Sequence, residues 1–218
     1  ILLSGGSGIN NSIYNNMVYD ISSTSSQSNS RVAGIEIWLQ TNPKIYYNTV
    51  YLSGEGNGAN PLGSAAFYIY GGWGNSTNVD ARNNIFVNTR NESPYCASSI
   101  YNYSLANLTS DYNDLYYESN QYNCLVRAGG TDYLTLADWQ ATGKDLNSIS
   151  EMPNFVTPDL HIADNSLTML DGGATPIAEI ETDIDGETRN ATVPDIGADE
   201  FTIVGVEDET TFPTEFSL

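Results

Sequence analysis

The stretch Ala81-Arg82-Asn83-Asn84-Ile85-Phe86-Val87 has three counterparts elsewhere in the chain. They are Ile13-Tyr14-Asn15-Asn16-Met17-Val18-Tyr19, Ile45-Tyr46-Tyr47-Asn48-Thr49-Val50-Tyr51 and Ser110-Asp111-Tyr112-Asn113-Asp114-Leu115-Tyr116. Each places an asparagine two residues before an apolar residue. The asparagines are Asn16, Asn48, Asn84 and Asn113, at spacings of 32, 36 and 29. Their apolar partners are Val18, Val50, Phe86 and Leu115.

A second set runs out of phase with the first. Gly34-Ile35-Glu36-Ile37-Trp38 matches Ala66-Phe67-Tyr68-Ile69-Tyr70, then Ala97-Ser98-Ser99-Ile100-Tyr101, which aligns Ile37, Ile69 and Ile100. Two ladders of short alternating strands therefore share a period of roughly 30 residues, the sign of stacked repeats. Strands stacked about 4.8 Å apart satisfy this pattern as successive coils of one solenoid. Alternation of period two puts Ile35, Ile37, Phe67 and Ile69 inside and Glu36 and Tyr68 outside. The repeated asparagine is expected to take the left-handed conformation at a coil corner. Its amide is expected to bond to the asparagines above and below, forming a structural ladder.

These stretches resemble the coils of pectate-lyase-like right-handed parallel β-helix proteins. The later part of the chain resembles the C-terminal end of a bacterial secreted subset. The marks are Ser110-Asp111-Tyr112-Asn113, Leu136-Ala137-Asp138-Trp139-Gln140, Pro153-Asn154-Phe155-Val156, Asp171-Gly172-Gly173, Asp183-Ile184-Asp185-Gly186-Glu187-Thr188-Arg189 and Asp195-Ile196-Gly197-Ala198-Asp199-Glu200-Phe201. The resemblance implies an all-β, right-handed parallel β-helix solenoid of about four to five coils. It is expected to end in a C-terminal cap of loops and a short helix. The expected organisation is coils over 1–130, a last coil and cap over 131–201, and a linker over 202–218. Phe212-Pro213-Thr214-Glu215-Phe216-Ser217-Leu218 resembles the lead-in to a C-terminal type IX secretion sorting domain, itself absent from the sequence. An ordinary inter-domain linker is the other reading. The first residues, Ile1-Leu2-Leu3-Ser4-Gly5-Gly6, read as the middle of a chain, so further sequence is expected upstream.

Composition narrows the function. The chain of 218 residues has 7 Lys and Arg against 27 Asp and Glu, for a net charge of -20. The asymmetry is steep: 151–218 holds 16 acidic residues and one basic residue, Arg189. Phosphate binding needs clustered cations, so nucleic acid is excluded as a natural partner. No apolar run reaches the roughly 20 residues of a membrane span. The expected location is secreted or at the outer cell surface, and the expected state is a monomer.

Thr135 is expected to cap a short helix that Gly143 stops, with Trp139 as cap core or as a sugar platform. Cys96 and Cys124, about one coil apart, read either as a disulfide or as two buried thiols. His161, the lone histidine, reads as structural. No catalytic residue emerges. A lyase needs a base and cations, and no stack of basic residues is visible. Asp80, Asp111 and Asp114 lie near the ladder but not at equivalent positions, which argues against a paired-carboxylate glycosidase.

Two binding features remain. Asp183, Asp185, Asp195, Asp199 and Glu200 read as calcium ligands; alternatively Asp183 and Asp185 cap turns and Arg189 pairs with Asp195 or Asp199. Trp38, Tyr46, Tyr68 and Tyr70, with Tyr47 beside them, read as an outward strip for polysaccharide or cell-surface glycan. The leading expectation is a non-catalytic or substrate-presenting module of a secreted or surface protein. The alternatives are the C-terminal part of a polysaccharide lyase or glycoside hydrolase, and an adhesin-like spacer.

Overall fold

A computed structural model describes residues 1–5, 8–23, 30–56, 62–71, 74–156, 159–163 and 167–203. The chain is nearly all β, and its parallel coils stack into a β-solenoid of about three turns. Three parallel sheets run along it. The first contains Leu2–Leu3, Val32–Ile37, Ser64–Ile69, Ala97–Asn102 and Cys124–Ala128, with Thr131–Tyr133 added antiparallel at the end. The second contains Ser12–Tyr14, Lys44–Tyr46, Val79–Arg82 and Leu108–Asp111. The third contains Met17–Val18, Thr49–Leu52, Ile85–Asn88 and Asp114–Tyr117. The first sheet has five parallel rungs and the second and third have four each.

The corner between the second and third sheets explains the repeated motif. Asn15, Tyr47, Asn83 and Tyr112 take φ values of 50 to 62°. The ladder asparagine is the residue after each of these. The expectation that the ladder asparagine itself is left-handed is therefore corrected by one position. The ladder is continuous: Asn16 Nδ2 donates to Asn48 Oδ1 at 2.8 Å, Asn48 Nδ2 to Asn84 Oδ1 at 2.9 Å, and Asn84 Nδ2 to Asn113 Oδ1 at 3.0 Å. Asn48, Asn84 and Asn113 are fully buried. Each needs such partners, because an unpaired buried amide costs more than a made bond returns. The ladder ends on Asp145, which accepts from Asn113 Nδ2 at 3.0 Å, Ser148 Oγ at 2.6 Å and Trp139 Nε1 at 2.6 Å. A second, exposed ladder joins Asn10, Asn42 and Asn78. There the left-handed residue and the ladder residue are the same.

The interior is one apolar column. Val18, Val50, Phe86 and Leu115 stand in register on the third sheet. Ile35, Phe67, Ile100 and Val126 do so on the first. Gly34 is required by this packing, since a Cβ there would lie 2.2 Å from Val50 Cγ1. At the open end the helix Leu136–Gln140 covers the column with Trp139, which has no exposed surface. Thr135 Oγ1 accepts from the Asp138 amide at 3.1 Å, and Gly143 leaves the helix with φ +82°. Trp139 is thus cap core.

Residues beyond 150 do not continue over that end. They run back along the outer face of the third sheet as a side layer. Ile162, Leu170, Ile177, Ile180 and Ile196 bury Ile85 and Val87, with Tyr46 and Tyr47 at the edge. The layer bonds to three successive corners: Asn15 Nδ2 donates to Thr182 O at 2.7 Å, Tyr47 Oη to Thr175 O at 2.9 Å, and Asn83 Nδ2 to Thr175 O at 2.7 Å. Gly197, at φ +109°, approaches so closely that a Cβ would meet Ile85 Cδ1 at 2.7 Å. The expected single cap over 131–201 therefore divides into an end cover and a lateral layer. Of the expected linker, 204–218 lies outside the described residues. Among the described residues no helix is long and apolar enough to cross a membrane.

Candidate functional site

The outer face of the first sheet carries a continuous aromatic surface. In the register of the strands Glu36 lies beside Tyr68, Tyr68 beside Tyr101, and Tyr101 beside Arg127. Two residues further along each coil come Trp38, Tyr70 and Tyr103. The rings touch in sequence. Trp38 and Tyr70 meet edge-on at 5.4 Å, Tyr70 and Tyr103 at 5.6 Å, and Tyr101 and Tyr103 at 5.4 Å. Tyr68 and Tyr101 stack at 4.7 Å with planes 12° apart. The Arg31 guanidinium sits over Tyr68 at 4.7 Å and Tyr70 at 5.2 Å, a cation–π contact, and pairs with Glu36. Burial raises the hydroxyl pKa of Tyr68 and pushes that of Tyr101 up to about 12. Tyr101 keeps a neutral hydroxyl at any physiological pH, while Tyr68, with no exposed surface, supports the ring above it.

The surface runs into a cleft of about 380 Å³ lined by Tyr95, Tyr101, Gln121, Tyr122, Arg127 and Asp132, among others. Arg127 Nη2 donates to Asp132 Oδ2 at 2.7 Å across its wall. Cys96 also reaches this cleft. Cys96 and Cys124 are free thiols with their sulfurs 3.2 Å apart. The hydrogen bond from Cys124 lowers the Cys96 pKa, and the same bond, with burial, raises that of Cys124.

The structure brings together Trp38, Tyr68 and Tyr70 and separates Tyr46 and Tyr47 from them, but Tyr68, expected outside, is fully buried beneath Arg31 and the neighbouring rings. Tyr46 stands on the second sheet, 3% exposed. Its hydroxyl donates to Asp80 Oδ2 at 2.6 Å and accepts from Arg82 Nη2 at 3.1 Å. Tyr47 lies under the side layer with Arg189 4.0 Å above its ring. Alternation distinguishes inside from outside but not which sheet a residue joins or what later covers it. Tyr101, Tyr103 and Arg31 belong to the aromatic surface and were not singled out from the sequence. The cause is register. Ile100 pairs with Phe67, and Ile69 pairs with Asn102. Aligning Ile69 with Ile100 slipped that coil by two residues and hid the tyrosine columns.

The carboxylates of the side layer are also divided. Asp183 Oδ1 accepts the amides of Asp185 and Glu187, and its Oδ2 accepts that of Glu200. Asp195 accepts the amides of Gly172 and Phe201. Glu200 accepts those of Asn190 and Asp195 and pairs with Arg189. These three hold loops, and their oxygens are committed to backbone donors. Asp185 and Asp199 instead converge with His161.

All seven cations are committed. Arg31, Arg82, Arg90, Arg127 and Arg189 pair with Glu36, Asp80, Glu92, Asp132 and Glu200, and Lys44 lies 3.9 Å from Glu179. Lys144 donates to Leu108 O. The glycosidase candidates do not converge either. Asp80 is tied to Arg82 and Tyr46, Asp111 to Asn147, and Asp114 is fully buried with Oδ1 on the Glu151 amide.

Several buried acids set a pH dependence. Burial raises the pKa of Asp114 and Asp145 and brings Asp195 to about 7. An acid whose folded pKa is raised holds its proton longer when folded. Its stabilising contribution is full below about pH 4 and is lost as pH rises to about 7. Asp132, lowered by Arg127, acts in the opposite sense but only below its usual range. The melting temperature is therefore expected to fall by roughly 3–8 °C between pH 4.5 and 7.5. A calorimetric series at constant ionic strength tests this. A flat or rising profile over that window would show that these carboxyls ionise without penalty. Comparisons with protein-family models, with curated proteins and with solved structures found no match to this chain.

Proposed function

We propose that this chain is a glycan-binding β-solenoid module of a secreted or surface-exposed protein. It holds neutral polysaccharide against the outer face of its first sheet without cleaving it. The observation that carries this reading is the contiguous aromatic surface of Trp38, Tyr70, Tyr103 and Tyr101, backed from beneath by the fully buried Tyr68 and leading into the cleft at Tyr101 and Arg127. Flat rings offer apolar faces to the C–H face of a sugar, while their hydroxyls and the cleft's polar groups accept and donate at the rim. Coils about 4.8 Å apart repeat these rings along the solenoid axis, which suits a polymer more than a single sugar. A net charge of -20 disfavours polyanions, so the neutral class is favoured. Commitment of every cation to a partner supports binding over lyase chemistry. The pectate-lyase-like relationship and type IX export belong to this same reading and rest on the sequence motifs.

Affinity electrophoresis against neutral β-glucans, xylans and a polyuronate tests it. Retardation by a neutral polymer is expected, reduced roughly tenfold in Tyr70→Ala and Tyr103→Ala, since contacts to such aromatic anchors dominate binding. Tyr103 is 39% exposed, so its loss leaves the fold intact. No retardation, or equal retardation of wild type and both variants, removes the reading. Release of shortened or unsaturated sugars would replace it with an enzyme.

A further inference from the structure

We propose that His161, Asp185 and Asp199 bind one divalent transition-metal ion of the zinc class, a site separate from the aromatic surface. The three residues come from three different segments of the side layer. His161 neighbours Ile162, which bridges to Phe155. Asp185 sits in the turn that Asp183 closes, and Asp199 in the loop that packs Gly197 on Ile85. Their ligand-capable atoms all lie within 4.8 Å of one another.

Two further features single this group out from the other carboxylates of the layer. The imidazole is oriented from behind: Nδ1 lies 2.9 Å from Asp159 Oδ1, and Nε2 faces Asp185 Oδ2 at 2.6 Å. Carboxylates on both nitrogens hold the metal-free ring as an imidazolium, with its pKa pushed up to about 9 chiefly by the hydrogen bond to Asp185, so a metal on Nε2 would displace that proton while Asp159 keeps Nδ1–H and the aim of the ring. Asp199, 7% exposed, is fixed in a similar way, with Oδ2 accepting the Ile162 amide at 3.0 Å.

The donor set selects the ion. Calcium takes six to eight oxygens, whereas an imidazole nitrogen with two carboxylates suits zinc and its neighbours. Around zinc at about 2.0–2.1 Å, tetrahedral ligand atoms stand roughly 3.3 Å apart. Nε2 and Asp185 Oδ2 need separate only slightly from 2.6 Å, and Asp185 has a 54% exposed side chain free to give way. Three protein ligands leave the fourth position to water. The ion would tie the Phe155 and Ile162 pairing to the 183–201 loops.

The test is calorimetric titration of chelator-stripped protein with zinc chloride, alongside NMR of the single histidine. The expected result is one zinc per chain, with a shift of the imidazole resonances at stoichiometric metal. His161→Gln and Asp185→Asn are expected to lose at least tenfold in affinity. Asp159→Asn, which touches no metal, is expected to lose about tenfold through the ring's orientation. Calcium at the same concentration is expected to leave the imidazole signals unmoved. Zinc uptake unchanged by His161→Gln, an unshifted imidazole in wild type, or equal occupancy by calcium would each overturn the site. The NMR arm on wild type decides the matter even if a variant fails to fold.

Discussion

Asn84→Leu is expected to lower unfolding stability by about 3–6 kcal/mol, measured by urea denaturation. Leucine keeps the branched shape of asparagine but is larger, so modest overpacking adds to the loss of hydrogen bonding. Asn84 Oδ1 accepts both the Asn48 amide at 3.0 Å and Asn48 Nδ2 at 2.9 Å. Its Nδ2 donates to Ile45 O at 2.8 Å, Arg82 O at 2.9 Å and Asn113 Oδ1. The Asn48 backbone N–H is left without an acceptor, and the Ile45 carbonyl loses one of its donors, inside a site with no solvent access. An orphaned buried group costs roughly 1–3 kcal/mol. Asn16→Ala, at the partly exposed end of the same ladder, is the control and is expected to cost about 1 kcal/mol because water replaces the lost partner. Equal losses at the two positions would show that the ladder is decorative.

Trp139→Ala is expected to cost about 3–5 kcal/mol, a large share of the roughly 5–15 kcal/mol that holds a domain of this size. The indole covers the last apolar rung and meets Tyr133 at 5.1 Å. Its Nε1 also donates to the buried Asp145, where the asparagine ladder ends. Truncation therefore opens a cavity and strips a donor from a buried carboxylate at once. Trp139→Phe separates the two effects, keeping most of the volume while removing the donor, with an expected loss of about 1–3 kcal/mol. Amide exchange should show the variant's opening concentrated in Cys124–Ala128 and the 145–149 segment beside it. An Ala variant within about 1 kcal/mol of wild type would mean the column end is closed by something else.

What the sequence revealed, and what it hid, follows from the range of the signals. The column of Val18, Val50, Phe86 and Leu115 was legible because each residue follows a corner asparagine at a fixed offset. The tyrosine columns were not, because a two-residue slip between Phe67 and Ile100 leaves the apolar pattern looking intact. The second ladder repeats the spacings of the first: Asn10, Asn42 and Asn78 each stand six residues before Asn16, Asn48 and Asn84. The same comparison of positions would have found it. The side layer had no periodic signature. Ile162, Leu170, Ile177, Ile180 and Ile196 follow no strand or helix repeat, because they are held by loop amides and carboxylates rather than by a ladder. His161 read as isolated for the same reason. Its neighbours Asp185 and Asp199 come from separate turns, and turn carboxylates look alike until the loops are placed.

The contact between Arg189 and Asn15 joins residues 174 positions apart, and Asn83 meets Thr175 across 92. A solenoid of stacked coils would otherwise finish in the order it is made, each coil a template for the next, with only neighbour contacts to satisfy. Here the earliest described corner waits for almost the last described loop. Closure of the chain depends on contacts of long sequence separation and is therefore expected to be its late step. Until it occurs Ile85 and Val87 stand bare, so the half-made chain has an adhesive flank that its finished form does not.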